Sequence, residues 1–157
     1  MKLIFLDFDG VINSSKFYED KEKGVIGLDP KAVALVNEIC DRTGALVVVS
    51  SSWRHGESRT TLQEILGKVG FTGKVLGMTP DLSTRHEGLW TAKTRGDEIF
   101  QWIEDSSPNI HGPIESFVIL DDDSDMEPLA HRHIKTDHAI GLTSNHVERA
   151  VTMLGSK

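Results

Sequence analysis

A three-layer α/β sandwich around a central parallel sheet of about five strands is the fold class the sequence predicts, and three observations predict it. Four short apolar runs, Lys2–Leu6, Ala45–Val49, Lys74–Met78 and Phe117–Leu120, are rich in branched or aromatic residues and end at polar or glycine breakers. Segments of helical period lie between them, and such regular alternation implies right-handed crossovers with helices on both faces. The residues following three of the runs are Asp7 with Asp9, Ser50 to Ser52, and Asp121 with Asp122. In a parallel sheet all three groups converge on the edge formed by the strands' carboxyl ends, where ligands bind.

The elements follow in order. The first strand stops at Asp7. A helix over Pro30 to Arg42 puts Val33, Val36, Ile39 and Cys40 on one face, with Asp29 as N-cap, Pro30 in the first turn and Gly44 as the stop. After the second strand, a helix over about Thr60 to Val69 turns Leu62, Ile65, Leu66 and Val69 inward, and Thr60 with Gln63 has the spacing of a capping box. A third helix, Arg95 to Glu104, buries Ile99, Trp102 and Ile103. The last, Asn145 to Leu154, buries Val147, Val151 and Leu154. His133 to Thr136 is a weaker fifth strand. Two long connections, Ile12 to Leu28 with Lys16, Lys21 and Lys23, and Thr79 to Ala92 with Arg85, His86 and Trp90, are expected to shape a binding site.

A chain of 157 residues fits one domain, residues 1–157, and contains no block long enough for a separate cap domain. With 38% hydrophobic and 26% charged residues the chain is globular, neither disordered nor fibrous. The net charge of −7 weighs against a surface that grips nucleic acid all round, though a local basic rim is compatible with it. The apolar run Leu3 to Leu6 is far too short for a signal-peptide core or a membrane span. The single cysteine, Cys40, lies in an apolar helical stripe, which fits a reducing cytoplasm and a packing role.

The chemistry is concentrated in Leu6-Asp7-Phe8-Asp9-Gly10 and Leu120-Asp121-Asp122-Asp123. Two carboxylates at one strand end repel each other unless a cation lies between them. Mg²⁺ suits such oxygen donors because it keeps several waters and needs only two or three protein ligands. Asp7, Asp9, Asp121 and Asp122 are the metal candidates, with Asp122 favoured as a direct ligand and Asp125 behind it. Ser50, Ser51 and Ser52 offer hydroxyls at the end of the second strand, and Arg54 has the fork that binds phosphate oxygens in pairs. Lys93 and Arg95 place cations at a helix start, where the dipole disfavours them, so they need another reason to be there; Lys93 is slightly preferred. His131, His133 and His138 raise a zinc reading, but no thiolate accompanies them and their spacing is weak.

An apolar strand then Asp7-Phe8-Asp9-Gly10-Val11, a strand then Ser51, a basic residue before a helix, and a strand then Asp121-Asp122 resemble the haloacid dehalogenase (HAD) superfamily, in that family's order over residues 7 to 125. Ser51-Ser52-Trp53-Arg54 and Leu120-Asp121-Asp122-Asp123 further resemble the small phosphatase-like domains associated with nucleic-acid repair. The resemblance implies a Rossmann-like core, Mg²⁺, attack by Asp7 on phosphorus to give an aspartyl phosphate, and a phosphate-binding hydroxyl at Ser51, with Ser50 and Ser52 as alternatives. It makes Asp9 the proton donor to the leaving oxygen and then the base for water, and a phosphatase is favoured because Asp9 is a carboxylate. Val11 stands where the family often has Thr, and Met126 where it has a later acid. Without a cap the site is expected to be open, and the resemblance to capless members of the family implies a nucleic-acid 3'-phosphate or a nucleotide as substrate. The competing reading is a non-enzymatic phosphate-binding or phospho-receiver-like module, but the order of the acidic motifs is not that of a receiver.

Overall fold

The computed structural model describes residues 1–20, 27–86, 88–91, 93–106 and 112–157. Its main sheet has five parallel strands: β1 (Lys2–Leu6), β2 (Leu46–Val49), β3 (Val75–Met78), β6 (Ser116–Asp121) and β7 (His133–Lys135), in the order β3-β2-β1-β6-β7. Strands β4 (Thr84–His86) and β5 (Leu89–Thr91) form a separate antiparallel hairpin. The helices are α1 (Ser15–Asp20), α2 (Pro30–Thr43), α3 (Arg59–Gly67), α4 (Arg95–Asp105) and α5 (Ser144–Leu154). The parallel α/β architecture is the predicted one.

The apolar runs become strands because both of their faces are covered. Along β1, Ile4 and Leu6 face one cluster, which takes in Val33, Val36 and Ile39 of α2, Leu62 and Leu66 of α3, and Val147 and Val151 of α5. Leu3 and Phe5 face the other, with Ile99 of α4, Met126 and Leu129. The period of two therefore divides each strand between two cores. Phe5 meets Trp102 and Phe117 edge-on, with ring centroids 5.6 and 5.7 Å away. Cys40 is buried in the first cluster, and burial above all pushes its thiol up to about 12, leaving an inert packing group.

Helix α2 has the expected ends: the Asp29 carboxylate accepts from the Lys31 amide, and Gly44 closes the helix at φ 76°. Helix α3 is capped differently from expectation. Ser58, not Thr60, is the N-cap, its hydroxyl accepting from the Thr61 amide, while the Gln63 side chain reaches away to Val75 N and Gly73 O. Helix α1 and the β4/β5 hairpin were read only as loops, because segments of three to six residues are too short to show a period. No described stretch forms a cap domain. Of the loop residues singled out, Lys21 and Lys23 lie outside the described residues, as do the side chains of Arg85, His86 and Trp90. Among the described residues no helix is long and apolar enough to cross a membrane.

Candidate active site

The carboxyl ends of β1 and β6 are adjacent, and the Asp7 amide continues the ladder by donating to Leu120 O at 3.0 Å. This register brings Asp7, Asp121 and Asp122 together, with one carboxylate oxygen from each inside a group whose members all lie within 4.8 Å of one another. Gly10 permits the approach. It sits at φ 78°, and a Cβ there would fall 2.3 Å from Asp122 Oδ2, so a side chain would displace that carboxylate.

Three like charges in a buried corner perturb one another. Burial raises Asp7 above the usual carboxylate range and the charge of Asp122 adds to this, against the opposing pull of Arg95 and the Phe8 amide. Burial first and the Asp7 charge second push Asp121 up to about 8. Asp121 Oδ1 accepts from the Asp123 amide, but the buried Oδ2 has no hydrogen-bond partner in the protein. An orphaned carboxylate oxygen in an all-oxygen cluster is what a hard divalent cation such as Mg²⁺ satisfies, so the residues present fit that ion. They are Asp7, Asp121 and Asp122.

Asp9 has different surroundings. Its carboxylate accepts from Asn13 Nδ2 at 2.8 Å and from Trp53 Nε1 at 3.2 Å to each oxygen, outside the three-carboxylate group. Asp9, also expected to share the cation, is not a member of that group, and two neighbours that donate hydrogen bonds hold its carboxylate. Asn13 also accepts from the Gly10 amide, and the Trp53 ring packs against Phe8 at 5.4 Å. Asn13 is not among the residues singled out from the sequence. The available signal was an Asx side chain close behind Asp-x-Asp-Gly, a position suited to binding back to the turn.

Of the two basic candidates, Arg95 reaches the cluster and Lys93 is exposed. Arg95 Nη1 lies 3.3 Å from Asp7 Oδ1 and 3.6 Å from Asp121 Oδ2, and it donates to Ser50 O. Its helix start is docked onto the loop after β6. The Arg95 amide donates to Asp125 Oδ2 and the Gly96 amide to Asp125 O, each at 2.9 Å. Gly96 allows the contact, since a Cβ there would lie 2.5 Å from Glu127 O. Asp125 thus positions the arginine without joining the metal group.

Ser50 and Ser51 are both fully buried at the end of β2, and Ser52 is exposed. Ser51 Oγ caps the short 3-10 turn over Ser52–Arg54 by accepting from the Trp53 amide at 3.2 Å, so its own proton remains to donate. Ser50 Oγ is buried without a hydrogen-bond partner.

Arg54 does not fit the role of a phosphate fork. Its five N–H groups are all taken, Nε by Thr79 O, Nη1 by Ser50 O and Ser51 O, and Nη2 by Pro80 O and by Glu98 Oε2 at 2.6 Å. With its side chain 4% exposed, it is a buried clamp joining the end of β2, the segment after β3 and helix α4. Of the histidines, His133 Nε2 meets Asp121 O at 2.9 Å, and His138 Nδ1, which sequence reasoning had not placed here, meets Asp122 Oδ2 at 2.8 Å.

Over residues 3–147 the chain matches the family model described as the HAD domain in Swiss Army Knife RNA repair proteins. No curated protein and no solved structure matches it.

Proposed function

Since the chain belongs to the family of HAD domains found in Swiss Army Knife RNA repair proteins, we propose that it is a single-domain, cytoplasmic, Mg²⁺-dependent phosphatase acting on a phosphate monoester at a polynucleotide end, a 3'-phosphate foremost, or on a nucleotide. One observation carries the reading: two carboxylates two residues apart are separated by their surroundings. Asp7 lies in the carboxylate cluster under Arg95, while Asn13 and Trp53 hold Asp9 outside it. Two acids in different environments are what a nucleophile and a proton carrier need.

Asp7, Asp121 and Asp122 would hold the Mg²⁺. When bound, the ion supplies the positive charge that lets the Asp7 carboxylate and a phosphate dianion approach each other. In the first step a bond forms between an Asp7 carboxylate oxygen and phosphorus as the ester P–O bond breaks. The electron pair leaves with the ester oxygen, which takes the proton of Asp9. In the second step Asp9 accepts a proton from water as the water oxygen bonds to phosphorus and the Asp7–phosphorus bond breaks, releasing phosphate and restoring both acids. Arg95 offsets the charge of Asp7 and the transferred group, and the Ser51 hydroxyl donates to a phosphoryl oxygen.

The test is hydrolysis of p-nitrophenyl phosphate with and without Mg²⁺ by the parent, Asp7→Asn and Asp9→Asn. Turnover should require Mg²⁺, fall at least about 10³-fold in Asp7→Asn and fall about 10²–10⁴-fold in Asp9→Asn. Parent-like activity in Asp7→Asn would remove the nucleophile assignment. Stable phosphorylation of the parent without turnover would instead make it a receiver-like module.

A further inference from the structure

Beside the carboxylate cluster lies a hollow of about 610 Å³ that begins at Asp122 and is lined by Lys135, His138, Ile140 and His146 among others. Its size is that of a small-molecule site. A second hollow of about 380 Å³ is lined by Lys16, Phe17 and Lys31 and shares Ile140 with the first. Ile140, which lines both, is 58% exposed, one of few large apolar side chains left in water among the described residues.

The ridge between the hollows is firmly built. The amides of Ser15 and Lys16 donate to the carbonyls of His138 and Ala139, tying the start of α1 to the loop after β7. That loop is closed on itself by Ile140 N and Gly141 N, both donating to Asp137 O. Gly141, at φ 79°, presses onto the turn after β1, where a Cβ would lie 2.9 Å from Val11 O. The surface that carries Ile140 is therefore held in register with the cluster at Asp122.

Charge along the path changes sign. The cluster end is acidic, whereas Lys135, Lys16 and Lys31 are exposed along the hollows of a chain whose net charge is −7. Acids line the hollows too, Asp122 and Asp137 in the first and Asp29 in the second, so the lysines outnumber them only in the second; Asp29 Oδ1 accepts from Lys31 N, Asp137 Oδ1 from Ala139 N, and Asp122 Oδ2 meets His138 Nδ1. Lysines along a groove with apolar side chains between them suit a polyanion that has flat apolar faces, which is a single nucleic-acid strand.

Resting on the phosphatase reading above, we propose that the two hollows form one track for the strand on the leaving side of the phosphate. The terminal nucleoside occupies the larger hollow against Ile140, and the next internucleotide phosphates lie at Lys16 and Lys31. The substrate class is then a single-stranded oligonucleotide end in preference to a free nucleotide, whose contacts end at the first hollow.

The test measures binding apart from turnover. Fluorescence anisotropy of a short fluorescein-labelled RNA with a terminal phosphate is followed on Asp7→Asn protein, with and without Lys16→Ala plus Lys31→Ala, over a range of salt. The double change should weaken binding about 10-fold and lower the slope of log K against log salt by about 1.4, the value for two single-strand phosphates. Ile140→Asp should weaken binding at fixed salt by a similar factor. An unchanged affinity and slope in the double variant would overturn the track even if p-nitrophenyl phosphate is hydrolysed as proposed. Loss of that hydrolysis in the parent alone would instead fault the phosphatase reading. In steady state, the ratio of kcat/KM for the RNA to that for p-nitrophenyl phosphate should fall about 10-fold in Lys16→Ala/Lys31→Ala; an equal loss on both substrates would also overturn it.

Discussion

Two polar clusters meet at the carboxyl edge of the sheet, and they differ in whether their groups are satisfied. Around Arg54 every guanidinium N–H has an acceptor, and the Glu98 carboxylate that faces it also accepts from Leu82 N. Around Asp7 three carboxylates gather, one guanidinium reaches two of them, and a buried Asp121 oxygen has no hydrogen-bond partner. The clusters touch, since Arg95 Nε is 4.0 Å from Glu98 and both arginines donate to Ser50 O. The difference teaches how to separate scaffold from site: a buried polar group with every partner in place joins chain segments, and one left over marks where something else binds.

The largest expected effect falls on the satisfied cluster. Arg54→Ala leaves Glu98 buried without its partner and frees several carbonyls, and should cost about 3–5 kcal/mol of stability in a denaturant melt. Arg54→Lys should recover little of it, because one ammonium cannot reach five acceptors on a planar fork. Arg95→Ala should do the opposite, lowering kcat on p-nitrophenyl phosphate about 10²-fold with a loss of stability near 1 kcal/mol. If Arg95 proved the more stabilising of the two, the distinction would fail.

A smaller effect comes from the carboxylates. A folded Asp121 raised to about 8 stays protonated where the unfolded chain has ionised. It costs nothing below about pH 4, where both states hold the proton, and costs progressively more as pH rises toward 8. In a chelator, Asp121→Asn should therefore melt higher than the parent at pH 8, by on the order of 2 kcal/mol or about 5 °C, and match it near pH 4. Mg²⁺ should raise the parent's Tm more at pH 8 than at pH 5, because binding displaces the proton. A Tm gain independent of pH would argue that the cluster is not the binding site.

The smallest concerns Asp9. Trp53→Phe keeps a ring against Phe8 and removes the Nε1 donor, so kcat should fall about fivefold, equivalent to about 1 kcal/mol, with Tm nearly unchanged. Unchanged turnover would show that Asn13 alone suffices to place the carboxylate.

Much of this was legible in the chain itself. Four of the five parallel strands were readable because burial on both faces leaves continuous apolar runs, and α2 because Asp29, Pro30 and Gly44 mark its ends locally. The placing of Asp7, Ser51 and Asp121 at strand ends followed from the alternation of elements. Helix α1 and the β4/β5 hairpin were not readable, being shorter than the window in which a period shows.

The order of elements, the parallel sheet and the meeting of its acidic strand ends were thus determined by the sequence alone, through periods and breakers that act over a few residues. Tertiary structure alone decided that Arg95 and not Lys93 covers Asp7, that Arg54 has no N–H free for a phosphate, and that Trp53 donates to Asp9. The Arg95 pairing joins groups 88 residues apart along the chain, so it depends on how α4 docks against the loop after β6, and no local pattern encodes that this donor arrives at that acceptor.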